Sequence, residues 1–214
     1  MPVSFSSSLF SLTDEEAMVR VREQDDPGAF AVLVERWEVR IQRLCTRMTG
    51  DPRRGEELAQ ESFARLFAAR KTYRQDARLS TFLWRIALNL CYDERRQASR
   101  RPQSLLEREG GRGLEAVAAA EDPPDVVVAE RERAEAVREA LGRLPEHYRA
   151  VLVLRHYQGL KFREIAEVLG VPQGTVKSRM SEALDRLARL LGPVLKEEAR
   201  EAQSERSETP RPGA

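Results

Sequence analysis

Apolar residues recur at helical spacing along most of the chain. Phe30, Leu33, Val34, Trp37, Ile41 and Leu44 fall on one side of a 3.6-residue period. Asp51-Pro52 then reads as a helix start, a capping carboxylate followed by a proline whose missing N–H costs nothing in a first turn. The next helix carries Leu58, Ala59, Phe63, Leu66 and Phe67 inward, and Glu56, Glu57, Gln60, Glu61 and Arg65 outward. Thr81 is placed to cap a third helix, TFLWRIALNLCYDERRQ, with Leu83, Ile86, Ala87 and Leu90 on its core side. Further on, a long Glu/Arg/Ala pattern stops at Leu144-Pro145, because the residue before a proline resists helix. Tyr148, Val151, Leu152 and Leu154 begin another apolar stripe, which Gly159 ends. Period-two alternation is weak throughout. The Val126–Val128 run is the one β-branched stretch, and it leads straight into a helical pattern. The pattern predicts an all-α protein.

Polar and breaker residues divide this pattern into two small helical domains joined by a flexible linker. The expected boundaries are an N-terminal extension at 1–13, a helical block at 14–101, a linker at 102–126, a second block at 127–195 and a disordered tail at 196–214. The linker, RPQSLLEREGGRGLEAVAAAEDPPD, holds paired Gly and paired Pro, with room for transient helix around Leu114 to Ala120. The tail has almost no apolar residue after Leu195.

The second block contains FREIAEVLGVPQGTVKSRM. Phe162, Ile165, Ala166 and Leu169 share one face of a short helix. Gly170 sits where the chain must reverse, and Pro172 can start the next helix. That helix has its own inward stripe of Val176, Met180, Ala183, Leu184, Leu187 and Leu191. Gln173, Thr175, Lys177, Ser178, Ser181 and Glu182 are left outside, with Arg179 to the side. Short donors and acceptors plus a cation suit base edges and phosphates in a major groove about 12 Å wide. The segment reads as a helix-turn-helix that binds DNA, with a solvated helical hairpin as the plainer alternative.

Net charge is only +1, so any nucleic-acid contact rests on local patches. One lies in the first block. Between residues 72 and 101, Tyr73, Phe82, Trp84 and Tyr92 are interleaved with Arg74, Arg78, Arg85, Arg95, Arg96, Arg100 and Arg101. Arginines hold phosphates and aromatic rings can stack an opened base, although core packing is the better reading of any single ring. Cys45 and Cys91 form no CxxC pair and lie in apolar helical patterns, so neither zinc nor a disulfide framework is indicated. His147 and His156 are nine residues apart and share no helix face, and no phosphate-cradling Gly loop or nucleophile–base set is visible. No catalytic residue, metal site or cofactor is therefore expected. The N-terminus, MPVSFSSSLFSLTDEE, lacks the pattern of a signal peptide, and no apolar run reaches the length of a membrane span, so a cytoplasmic protein without membrane insertion is expected. A duplex-binding regulator, usually dimeric, remains open, as does an enzyme of unrecognised type.

DPGAFAVLVERW, EELAQESFARLF, LSTFLWRIALNLCYDERR, LPEHYRAVLVLRHYQGLKFREIAEVLG and GTVKSRMSEALDRL resemble, in order and spacing, motifs of the extracytoplasmic-function (group IV) sigma factors of the sigma-70 family. Residues 14–101 resemble sigma region 2 and residues 127–192 resemble region 4. The resemblance implies a subunit of bacterial RNA polymerase that recognises the −35 and −10 promoter elements and promotes strand opening. It implies that Glu57, Gln60, Glu61 and Arg65 dock on the β′ clamp helices, with the β flap as a further polymerase contact. It places Tyr73, Arg74, Trp84, Arg85, Asn89, Arg95 and Arg96 at the −10 element, with TYRQDARLS as the loop that receives a flipped base. It places Gln173, Thr175, Lys177, Ser178, Arg179, Ser181 and Glu182 at the −35 element. Core polymerase, promoter DNA and an anti-sigma factor are the implied partners. Three positions depart from the family pattern. Phe82 stands where Trp is common, Leu88 where Arg is frequent, and Glu182 where Arg is usual. Glu182 either accepts from a cytosine N4 or pairs with Lys177 or Arg186, the pairing being preferred.

Overall fold

The computed structural model describes residues 11–74, 78–100 and 124–208. Every regular element among them is a helix. Helix α1 (Asp14–Gln24) starts on a reciprocal cap. The Glu16 N–H donates to the Thr13 hydroxyl at 3.2 Å, and the Thr13 N–H donates to the Glu16 carboxylate at 2.7 Å. Helices α2 (Pro27–Thr49) and α3 (Pro52–Ala68) begin alike, on Asp26 and Asp51 with proline next. The Asp51 carboxylate accepts the Arg53 N–H at 2.9 Å, as Asp51-Pro52 predicts.

Helices α2 and α3 cross very closely at Gly55. A Cβ there would lie 2.1 Å from the Thr46 hydroxyl and 2.7 Å from the Thr46 backbone nitrogen. Only glycine lets the two backbones approach this far. A short 3₁₀ turn (Arg70–Thr72) leads to α4 (Leu79–Arg100). This helix begins before the expected Thr81, because the start is capped from a distance. The Leu79 N–H donates to the Glu15 carboxylate of α1 at 3.2 Å. Leu33, Ile41, Leu44, Leu66, Leu83 and Ala87 are buried between these helices. Trp37 and Trp84 meet edge to face at 5.5 Å, and the Trp37 indole N–H donates to Asp14 at 2.8 Å.

The second block comprises α5 (Pro124–Arg143), α6 (Glu146–Leu152), a π-helical turn (Val153–Tyr157), α7 (Phe162–Leu169) and α8 (Gln173–Glu208). Val126–Val128 are helical, and α5 starts inside the stretch assigned to the linker. Pro145 separates α5 from α6. Gly170 ends α7 at φ 65°, in the left-handed region that its lack of a Cβ permits. Two stripe positions differ from expectation. Leu184 is 44 % exposed, whereas Val168 is buried. Helix α8 also continues to Glu208, so residues 196–208 are helical rather than disordered. After Pro193 that stretch is rich in Lys, Glu, Ala and Arg, all strong helix formers. Residues 1–10, the linker at 102–123 and the end of the tail at 209–214 lie outside the described residues.

The two blocks pack on each other. Helix α4 lies against α7, and α2 lies against α5, α6 and the π-helical turn. Their buried side chains form one continuous apolar cluster. Among the described residues, no helix is long and apolar enough to cross a membrane.

Candidate nucleic-acid interface

The N-terminal turns of α8 present an open polar face. Gln173, Lys177, Ser178 and Ser181 are exposed, while Val176, Met180 and Ala183 on the opposite side are buried. Thr175 and Arg179 are half-buried at its edges. The Ser178 hydroxyl donates back to the Thr175 carbonyl at 3.1 Å. Glu182 accepts from Arg186 Nε at 2.7 Å, one helical turn on, and Arg186 in turn lies 4.9 Å over the Tyr148 ring. The preferred pairing of Glu182 is thus formed, with Arg186 rather than Lys177. The His147 ring lies 4.0 Å from that of Tyr148, tilted by 50°, and burial and the nearby Arg179 and Arg186 charges lower its pKa.

The aromatic and basic residues around α4 behave differently. Tyr73 and Trp84 are each only 3 % exposed. Both rings are core side chains in this conformation and offer no face to a base. Core packing, the better reading of any single ring, holds at these two positions, where Trp84 fills the space beside Trp37 and Tyr73 packs near Phe82. Arg74, Asn89 and Arg96 are exposed, with Asp93 3.7 Å from Arg96. Residues 75–77 of the expected base-receiving loop lie outside the described residues.

Arg78, Arg85 and Arg95 are engaged by the second block. Arg85 Nε donates to the Glu167 and Val168 carbonyls at 3.1 and 3.2 Å, closing the C-terminal turn of α7. Cations are favoured at that end of a helix, where carbonyls lack intrahelical donors. Arg78 pairs with Glu164 at 3.2 Å, and Arg95 pairs with Glu146 at 3.1 Å. Leu88, one turn from Arg85, is 2 % exposed. Burial and the Glu146 carboxylate push the Tyr92 phenol up to about 12.

The outer face of α3 carries Glu56, Glu57, Gln60, Glu61 and Arg65, all exposed, as the period predicts. Glu61 pairs with Arg65 at 2.9 Å. Glu57 pairs with Arg54, which also bridges to Glu94 and so ties α3 to α4.

Matches to known proteins follow this layout. The profile of Sigma-70 region 2 matches residues 33–101, and that of Sigma-70 region 4 matches residues 134–187. The ECF RNA polymerase sigma factor SigW of Bacillus subtilis is 34% identical over 186 residues, covering 82% of this chain and 98% of SigW. The chain belongs to the ECF sigma factors. Two solved structures share the fold. CnrH, in complex with the cytosolic domain of CnrY, aligns with a TM-score of 0.62 at 22% identity, covering 84% of this chain and 97% of CnrH. RpoE of Bartonella quintana, in complex with the anti-sigma factor NepR, aligns with a TM-score of 0.57 at 23% identity, covering 76% of this chain and 96% of RpoE. As an ECF sigma factor the protein serves RNA polymerase in promoter-directed transcription. Helices α2 to α4 carry its region 2, and the chain from late α5 into α8 carries its region 4.

One residue central to this ECF sigma factor escapes a reading by motif. Arg149 is 0 % exposed. Its guanidinium donates four hydrogen bonds, all to backbone carbonyls: Leu141 at 2.7 Å, Gly142 at 2.6 Å, Leu144 at 2.8 Å and Met48 at 2.5 Å. It closes the end of α5 and, across the block boundary, the end of α2. Burial, with Arg95 nearby, lowers its pKa to about 10, so the charge persists at neutral pH. The available signal was position, since Arg149 precedes Leu152 and Val153 by one turn on an apolar stripe.

Proposed function

We propose that this ECF sigma factor reads the −35 element with the exposed N-terminal face of α8, through Gln173, Thr175, Lys177, Ser178 and Ser181. Arg179 serves as a phosphate contact at its edge. The observation that carries this reading is the open polar face of α8 beside a closed apolar one, within the stretch matched to region 4. Region 2 acts at the −10 element through Arg74, Arg85, Asn89, Arg95 and Arg96 on and before α4. Tyr73 and Trp84 support that surface from the core in the closed arrangement. The exposed stripe Glu57, Gln60, Glu61 and Arg65 docks on the β′ clamp helices of bacterial core polymerase, and region 4 contacts the β flap. The protein works in the cytoplasm as a specificity subunit and has no catalytic chemistry of its own. An anti-sigma factor is a fitting partner, since RpoE of the same fold was solved with one.

Run-off transcription with bacterial core polymerase, followed by start-site mapping, tests the reading. Defined start sites that require this chain are expected. Transcripts no different from those of core polymerase alone, across a broad promoter set, would sink it.

A further inference from the structure

A cleft of about 350 Å³ lies where α5 and the π-helical turn meet the C-terminal end of α2. Its size falls within the range of small-molecule sites. Val137, Leu141 and Tyr157 give it a mostly apolar wall, and Arg47, Arg133 and Arg138 bring three guanidinium groups to it. Tyr157 is 41 % exposed, so a large ring faces the cleft instead of closing a core. Arg47 is half-buried and forms no ion pair among the described residues. Its Nη1 donates to the Arg43 carbonyl at 3.3 Å, and its guanidinium lies 4.0 Å over the Tyr157 ring. Burial lowers its pKa and the Arg43 charge adds to this, while Tyr157 pulls the other way. Arg138 pairs with Glu135 of its own helix, whose carboxylate is largely exposed. A half-buried cation beside an apolar wall is stabilised most by an anion that brings apolar surface with it.

We propose that this cleft binds an aliphatic carboxylate of the fatty-acid type, with its head on Arg47 and its chain along Val137, Leu141 and Tyr157. The site is independent of the promoter assignments. A carboxylate accepts two parallel N–H bonds from one guanidinium, and the charges of Arg133 and Arg138 favour the same anion. The three cations select the head, because a cationic amphiphile with the same chain would meet like charge. The apolar wall selects the tail, because a short carboxylate such as acetate gains only a partly screened ion pair. The bound molecule would touch α2, α5 and the π-helical turn together. It would therefore raise the stability of the folded chain by mass action.

Isothermal titration of the full chain with dodecanoate, kept below its micelle concentration, tests the proposal. Saturable binding of one molecule per chain is expected, with a rise in the thermal midpoint. Decanoate, two methylenes shorter, should bind about tenfold more weakly if the tail is buried. Acetate and dodecyltrimethylammonium should show no saturable binding. Arg47→Gln should weaken dodecanoate binding about tenfold or more, as expected for a lost charged hydrogen-bond partner. Arg138→Gln takes its place should that chain fail to fold, with a smaller loss in the same direction. Val137→Trp should fill the cleft and abolish binding. No saturable binding of dodecanoate would overturn the proposal, as would equal binding of the cationic amphiphile or undiminished binding to folded Arg47→Gln and Val137→Trp chains. Sedimentation of the unliganded chain completes the test. A monomer is expected, whereas a dimer that Val137→Trp dissociates would assign the cleft to a second copy and overturn the carboxylate site.

Discussion

The faces of α8 and α4 are both polar, both helical and both proposed to meet promoter DNA, yet the fold treats them oppositely. On α8, the outward residues are short and mostly exposed: Gln173, Lys177, Ser178 and Ser181. On α4, the long cations Arg85 and Arg95 are already bonded, to the α7 carbonyls and to Glu146. The difference lies in what stands behind each face. Helix α7 uses one side to support α8 and the other to sit on α4, so burying Val168 against region 2 leaves the α8 surface open. A helix-turn-helix of three or four short elements has two flanks, and only one of them is needed to read a groove.

The largest expected effect breaks the platform under the covered face. Gly55→Ala would drive a Cβ into Thr46 and its backbone, costing about 3 kcal/mol or more in region 2. Thermal or denaturant unfolding measures this, and a loss below about 1 kcal/mol would mean that α2 and α3 separate easily. Next, Arg149→Met removes the donors for four carbonyls at the ends of α5 and α2, three of them in buried bonds. A loss of about 1–3 kcal/mol is expected, along with looser contact between the blocks. An unaltered midpoint would show that those carbonyls find other donors.

Effects on the open face are smaller in stability and larger in function. Lys177→Ala should leave unfolding unchanged and weaken −35-dependent transcription about five- to tenfold, the size of one lost phosphate or base contact. Glu182→Ala should lower stability by no more than about 0.5 kcal/mol, because the Arg186 pair is half exposed. It should leave promoter preference unchanged; a shifted preference at one base pair would assign Glu182 to direct readout instead. The smallest effect concerns pH. The His147 pKa lies below the ordinary imidazole value near 6.5, so the unfolded chain takes up that proton more readily than the folded one. Region 4 should therefore weaken slightly as pH falls below 6.5 toward the lowered value, and Gln at position 147 should abolish that slope.

Much of this architecture was legible where local chemistry decides it. Asp51-Pro52, Leu144-Pro145 and Gly170 mark their boundaries because caps, proline sterics and positive φ act within a few residues. The open face of α8 and the outer stripe of α3 follow from a 3.6-residue period alone. What was not legible depends on partners far along the chain. Helix α4 starts early because Glu15, in α1, caps Leu79. Val168 is buried because α4 lies over it, and Leu184 is exposed because nothing does. Core packing was the better reading of Tyr73 and Trp84, but their partners, Phe82 and Trp37, come only from the fold. Gly55 is dictated by how closely α3 crosses α2 at Thr46, and Arg149 reaches Met48, 101 residues away, and neither is set by a local pattern.

The most direct test measures core-polymerase affinity and promoter-dependent transcription side by side for two variants. Gln60→Ala with Glu61→Ala should weaken binding to core polymerase while keeping the fold. Lys177→Ala should keep that binding and lose −35-dependent transcripts. That crossed result is what a chain with one docking face and one DNA face predicts. Equal losses of binding and transcription in both variants, or no loss in either, would contradict it.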